Sequence, residues 1–251
     1  MMIRKILLLI SLALLLGACS GKQLSDEKQQ KLAKLHYQMG IDALSKGLLP
    51  KAFKELIESN KIQPDQYEVE DALAYAWRLR GDLEKAEGFY KKALAHGGVA
   101  STQNNYGSLL IQMKRYKEAE AVLRKALEDP RYPNQDLLFI NLGDALLEQG
   151  QFNDAIKAYR KAQIFRPNEL VPKIREADAY MRFNRTNYAR ALYETLLRKN
   201  PGNRALVQGL LDVLKKQNDL PAARSLLNSF RQDTANPLDK AWASDELEKI
   251  R

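Results

Sequence analysis

The 251-residue sequence has very few of the residues from which catalytic and metal sites are commonly built. It contains one cysteine, Cys19, and two histidines, His36 and His96. A single cysteine excludes an intrachain disulfide and a cysteine-based zinc site, and two isolated histidines without His-x-x-x-His spacing are typical of surface or packing positions. A glycine-rich phosphate loop is also missing, because Gly97-Gly98 is not followed by Gly-Lys-Ser/Thr. The sequence therefore predicts a protein that is not an enzyme and that holds no metal or cofactor.

The sequence also has no dense cluster of one charge. Forty basic and 31 acidic residues give a formal net charge of +9, but the lysines and arginines are scattered and no basic run contains interleaved aromatic residues. This distribution is typical of solvated helix faces, and it argues against a nucleic-acid partner. A mildly basic surface also suits an acidic partner or an anionic lipid.

The sequence contains no apolar run long enough to cross a membrane as a helix. The longest apolar run lies at the N-terminus. After the basic residues Arg4 and Lys5, residues 6–16 form an apolar run of eleven residues, whereas a helix needs about 20 to cross a bilayer. The run is therefore typical of a signal peptide, predicted over residues 1–18. The segment Leu16-Gly17-Ala18-Cys19 resembles the bacterial lipobox, in which the cysteine thiol receives a diacylglycerol.

The lipobox resemblance predicts that Cys19 carries a covalent lipid, the only non-protein group expected. An ordinary secretory signal with a chance cysteine is the alternative, but the only cysteine of the chain stands at the predicted cleavage point. In lipoproteins of this type, a residue other than aspartate after the cysteine, here Ser20, favours export to the outer membrane. Residues 19–32 are then the lipidated cysteine and a polar tether.

A 34-residue period organises the chain after the tether. The six units are 33–66, 67–99, 100–133, 136–169, 170–203 and 204–237. Position 20 of the unit is always alanine, which lets the second helix of a unit approach the first closely. These alanines are Ala52, Ala86, Ala119, Ala155, Ala189 and Ala223.

Further positions of the unit match the tetratricopeptide pattern. Position 8 is small in units 1–5, position 24 is large, and prolines end the second helix at position 32 in three units. Position 15 is glycine or asparagine except at Lys114, as expected of a residue in left-handed conformation that ends the first helix. The resemblance implies an all-α fold, a right-handed superhelical solenoid of six tetratricopeptide repeats. A capping helix is predicted within 238–251, with Trp242 and Leu247 as its apolar contacts.

The first helices of such repeats line the concave face of the stack. Positions 2, 5, 9, 12 and 13 should point into this groove, which is apolar through much of units 1–5. Exposed apolar surface of that extent predicts a partner site for an amphipathic helix or an extended hydrophobic segment. The alternative for any one residue is that it packs between repeats. The candidate residues are Tyr37, Ile41, Leu44, Tyr75, Arg78, Leu79, Asn104, Ser108, Ile111, Leu137, Ile140 and Leu147.

Units 3 and 4 carry a more specific signature than the general repeat pattern. Its stretches are Asn104-Asn105-Tyr106-Gly107, Tyr116-Lys117-Glu118-Ala119, Asp129-Pro130-Arg131-Tyr132-Pro133 and Asn141-Leu142-Gly143. Together they resemble the type IV pilus biogenesis/stability lipoproteins (the PilF/PilW/Tgl group). The third stretch coincides with the insertion that breaks the 34-residue period, and its two prolines stiffen that corner. Ser108-Leu109-Leu110 departs from the group, where an aromatic pair is expected.

The resemblance implies a pilotin on the periplasmic leaflet of the outer membrane. Such proteins promote the targeting, insertion or multimerisation of the pilus secretin, so the expected partners are the secretin and, through the lipid, the outer membrane. The groove of repeats 1–4 is the expected contact, and the protein is expected to be a monomer before binding. A repeat scaffold for another envelope assembly machine is the alternative function.

Overall fold

The computed structural model describes residues 25–250, in which thirteen helices follow one another and no strand occurs. The predicted signal peptide and Cys19 lie outside these residues. The all-α repeat architecture expected from the sequence is confirmed. The helices are α1 (25–45), α2 (Leu49–Ile62), α3 (Tyr67–Arg80), α4 (Leu83–Ala95), α5 (Ala100–Gln112), α6 (Tyr116–Ala126), α7 (Gln135–Glu148), α8 (Phe152–Phe165), α9 (Val171–Arg182), α10 (Thr186–Lys199), α11 (Arg204–Lys216), α12 (Leu220–Asp233) and α13 (Pro237–Lys249).

The predicted polar tether is shorter than expected, because residues 25–32 already belong to α1. This segment is polar, but it consists largely of good helix formers and contains no glycine or proline. Lys31 also pairs with Glu27 one turn earlier, at 2.6 Å, which supports the helix. Between residues 25 and 250, no helix is long and apolar enough to cross a membrane.

Each repeat contains one pair of helices, and the chain divides into two compact units of structure. The first ends at Leu109 and the second begins at Leu110, inside α5. In the first unit α3 packs against α2 and α4; in the second, α7 packs against α6 and α8, and α11 against α10 and α12.

In the core of both compact units, a small residue at position 20 and a large residue at position 24 recur in every repeat. All six alanines at position 20 are completely buried, so the two helices of a pair lie against each other without an intervening side chain. The large residues at position 24 fill the space beside them and are at most 1% exposed. These residues are Leu56, Tyr90, Leu123, Tyr159, Tyr193 and Leu227.

The residue at position 15 has a left-handed backbone conformation in all six repeats. Gly47, Gly81 and Gly150 have φ between 69° and 90°, and Asn184 and Asn218 have φ of 59° and 57°, as the sequence predicts. Lys114 adopts the same conformation, with φ of 61°, although its side chain makes this unfavourable. The packing of the two helices of a repeat therefore imposes the left-handed conformation at position 15, even on a residue that disfavours it.

The C-terminal helix α13 covers the last repeat as expected. Trp242 lies 5.8 Å from Phe230 in edge-to-face geometry, and the Arg204 guanidinium lies 4.7 Å from the Trp242 ring centre. Glu246 is buried and accepts hydrogen bonds from Lys215 of α11 and from Lys249, at 2.6 Å and 2.7 Å. The ion pair with Lys215 fixes α13 against α11.

Acid should weaken this attachment. Lys215 and Lys249 lower the pKa of Glu246 below its ordinary value of 4.5, so the stabilisation is present above pH 4.5 and is lost as the pH falls through the lowered pKa. Fluorescence of Trp242 in a Trp77→Phe background should show α13 detaching in acid. With Glu246→Gln, part of the acid dependence should disappear; an unchanged dependence would contradict the role of the ion pair.

Candidate partner-binding site

In the first unit, the first helices α1, α3 and α5 carry eight of the predicted groove residues, and we call their shared surface the first-helix surface. Ile41, Tyr75 and Leu79 are between 39% and 47% exposed, which is a large fraction for apolar side chains. Tyr37 and Leu44 are half-buried and pack against the buried cluster beneath. The surface therefore has exposed apolar side chains above an apolar base. Seven of the eight form this surface: Tyr37, Ile41, Leu44, Tyr75, Arg78, Leu79 and Ser108.

Three of the predicted groove residues do not face solvent. Asn104, Ile140 and Leu147 are 7%, 8% and 9% exposed, so these side chains face the core, and their place in a partner site stays a prediction. They occupy positions 5 and 12 of the unit, whereas the exposed residues Ile41 and Leu79 occupy positions 9 and 13. Tyr37 and Leu44 occupy positions 5 and 12 of the first repeat and are half-buried, so burial at these two positions differs between repeats, which the repeat period alone does not predict.

The polar groups beside the first-helix surface pair with each other. Asp71 accepts a hydrogen bond from Asn105 of the next first helix at 3.1 Å, and burial raises its pKa. Burial also raises the pKa of Tyr37, and the nearby carboxylates of Glu68 and Asp71 add to this rise. Asp71 is therefore a partly desolvated acid at the edge of an apolar surface, held in place by the adjacent repeat.

The first helices of the second unit present a more charged surface than the sequence predicts. Leu137 is 44% exposed and Ile111 is half-buried, but the neighbouring side chains are ionic. The Asp144 carboxylate accepts a hydrogen bond from Tyr159 at 2.8 Å and lies 3.4 Å from Arg175. The exposed apolar residues are therefore more numerous on the first-helix surface of the first unit.

The two histidines have partners that the sequence did not reveal. His36 Nδ1 lies 2.7 Å from Glu55, and His96 Nδ1 lies 2.7 Å from Glu70; both glutamates are buried. The other ring nitrogen of His96 lies 3.7 Å from Asp65. Three potential metal ligands therefore meet here, but the ring nitrogens of His96 point in different directions, toward different carboxylates. The arrangement is that of a hydrogen-bonded pair joining the end of α4 to α3.

Comparison with known proteins identifies the repeat and several similar chains. Tetratricopeptide-repeat models match residues 98–163 and 174–237. The type IV pilus assembly protein PilF of Pseudomonas aeruginosa is 28% identical over 188 residues, which cover 74% of this chain and 75% of that protein. Its similarity confirms the family resemblance noted in the sequence.

Two solved structures have the same fold. PilW, described as a widely conserved type IV pilus biogenesis factor, is 18% identical with a TM-score of 0.76, covering 87% of this chain and 98% of its own. The structure of Pseudomonas aeruginosa PilF is 24% identical with a TM-score of 0.69, covering 87% and 99%. At these identities the structures support the fold.

Proposed function

The chain belongs to the tetratricopeptide-repeat family, and from this premise we propose that it acts in type IV pilus biogenesis as a pilotin. In this role it binds the pilus secretin and promotes its targeting, insertion and multimerisation in the outer membrane. The similarity to PilF supports the role in pilus biogenesis. The repeat fold supports protein binding, because stacked helix pairs present extended surfaces to partners.

The observation that carries this proposal is the row of exposed apolar side chains on the first-helix surface. Ile41, Tyr75 and Leu79 are exposed, and Tyr37 and Leu44 on the same first helices are half-buried against the core. Contiguous apolar groups in water favour a partner that covers them. An amphipathic segment of the secretin would bury its own apolar face there before it reaches the membrane.

A lipid on Cys19 would hold this surface close to the bilayer. Each buried methylene group contributes about 0.8 kcal/mol, so two or three acyl chains form a lasting anchor. Five residues, 20–24, lie between Cys19 and the first described residue of α1, and the six Cα–Cα steps across them span at most about 20 Å. The proposed location is therefore the periplasmic leaflet of the outer membrane, with the first unit near its surface.

Binding rather than catalysis is proposed because repeat scaffolds of this type typically act by holding other proteins. The Asp71 carboxylate beside the first-helix surface also accepts a hydrogen bond from the Asn105 amide. A scaffold for another envelope assembly machine is the second candidate, since the same apolar surface would serve it.

The experiment that tests the surface introduces charge at two exposed positions. Ile41→Asp with Leu79→Asp should weaken secretin binding by the full-length protein about tenfold or more, because carboxylates are costly to bury in an apolar contact. Ile57→Asp is the matched control, since Ile57 is 42% exposed but lies on the second helix α2, and it should bind as wild type. Wild-type affinity of the folded double variant would exclude this surface.

A further inference from the structure

A cavity of about 570 Å³ opens in the second unit where the 34-residue period is broken. We call it the corner cavity; it lies between α6, α7 and α8, and the connection from Leu127 to Asn134 closes one side. That connection is held in place, since Gln135 donates a hydrogen bond to the Asp129 carbonyl at 2.9 Å and the Asp129 carboxylate accepts one from the Arg131 backbone at 3.1 Å. The cavity is therefore a fixed feature of the irregular corner, within the size range of ligand pockets, about 300–1,000 Å³.

The base of the corner cavity is apolar. Phe139 of α7 and Phe165 of α8 are stacked, with ring centres 5.7 Å apart and planes inclined by 19°. Buried Leu142 and Leu146 continue the base, and Pro130 contributes to the wall. Phe165 is nevertheless 53% exposed, so an aromatic surface faces water at the opening of the cavity.

The rim of the corner cavity is basic. Lys157 and Lys161 lie one turn apart on α8, and Arg124 of α6 also lines the cavity. Asp154, the one carboxylate among the lining residues, is paired with Lys157 at 2.9 Å. Lys161 lies 5.3 Å from the Phe139 ring centre, and within residues 25–250 it forms no ion pair. Arg124 is likewise paired, with Glu120 at 2.8 Å, so Lys161 supplies the one positive charge at the rim that has no acidic partner among the described residues.

We propose that the corner cavity is a second docking site, which binds an acidic amphipathic helix of a partner protein. Leucine or aromatic side chains of this helix enter the cavity and cover Phe139 and Phe165. Its carboxylates face Lys157 and Lys161, because acidic residues four positions apart on a helix have the same one-turn spacing as these lysines. Charge complementarity selects the acidic helix, and the apolar base provides most of the binding energy. The site lies in the second unit and involves no residue of the first-helix surface.

The test uses a displayed library of helical peptides of about 16 residues with randomised surface positions, selected on the full-length protein. The enriched peptides should combine an aromatic residue or leucine with glutamate or aspartate one turn away. Binding of one enriched peptide is then measured by fluorescence anisotropy. Lys157→Glu with Lys161→Glu should weaken it about tenfold or more, and Phe165→Ser should weaken it similarly.

The matched control reverses two lysines elsewhere on an exposed helix face. Lys51→Glu with Lys54→Glu on α2 makes the same change in net charge and should leave the peptide affinity within about twofold. The Ile41→Asp, Leu79→Asp variant should also bind the peptide normally. Failure of the corner-cavity proposal can therefore be told apart from failure of the proposed secretin contact. Enriched peptides without acidic residues, or equal binding by the Lys157/Lys161 variant, would overturn the proposal. Displacement of the peptide by vesicles of phosphatidylglycerol would assign the cavity to lipid instead and also overturn it.

Discussion

Gly143→Val should lower the free energy of unfolding by about 3 kcal/mol, the upper end of the range for overpacking a tight core. A Cβ atom at residue 143 would lie 2.4 Å from Cε1 of Tyr159, far inside contact distance. The ring has no space to retreat, because Tyr159 is completely buried and its hydroxyl donates a hydrogen bond to Asp144 at 2.8 Å. The added side chain would separate α7 from α8, and the damage would extend to adjacent repeats, which stabilise one another.

Gly88→Ala is the matched control for this substitution. Gly88 also lies inside a helix, α4, but no atom lies within 4 Å of the Cβ position. Alanine there should raise stability by about 0.5–1 kcal/mol through helix preference. Urea unfolding followed by circular dichroism measures both variants. A Gly143→Val protein as stable as the wild type would show that the close approach of α7 and α8 is not needed.

The repeat period predicts most of the backbone, because its signals are local. Six alanines in one register identify the packed face of each second helix, and all of them are buried. Glycine or asparagine at five of six turns identifies the left-handed residue, and the turn forms at Lys114 as well. The segment 25–32 was taken for a tether because all its residues except Leu32 are polar, although its helix formers belong to α1.

The period does not predict how equivalent side chains divide between core and surface. Tyr159 and Tyr193 share position 24, but Tyr159 packs on Gly143 of its own repeat, whereas Tyr193 packs on Gly209 of the next. Asn104, Ile140 and Leu147 were assigned to the groove by position and are buried. Such differences depend on how far each helix is displaced along its neighbour. The repeat period does not predict this displacement.

The histidine–glutamate contacts of the first unit were also missed for a physical reason. His36 and Glu55 are 19 residues apart, and His96 and Glu70 are 26 apart, so no local spacing connects them. The available signal was a glutamate on the packed side of a helix, since a buried carboxylate needs a partner. Matching buried acids to the nearest unexplained histidine would have suggested both pairs.

Loss of the proposed lipid anchor should have the largest effect in the cell. Cys19→Ala removes the only thiol of the chain, so no acyl chain can be attached there and the protein should leave the membrane fraction. A protein free in the periplasm would no longer be concentrated at the bilayer where the secretin inserts, and about 0.8 kcal/mol of membrane affinity is lost per methylene group. Secretin multimerisation should therefore fall sharply, although the repeats still fold.

The most direct test of the pilotin assignment measures heat-stable secretin multimers by gel electrophoresis in a strain from which the gene has been deleted. We expect the multimers to disappear and monomeric secretin to accumulate. The wild-type gene should restore the multimers, whereas the Cys19→Ala gene and the Ile41→Asp, Leu79→Asp gene should not. Normal multimers in the deletion strain would contradict the assignment, and an envelope defect with normal multimers would favour a scaffold for another assembly machine.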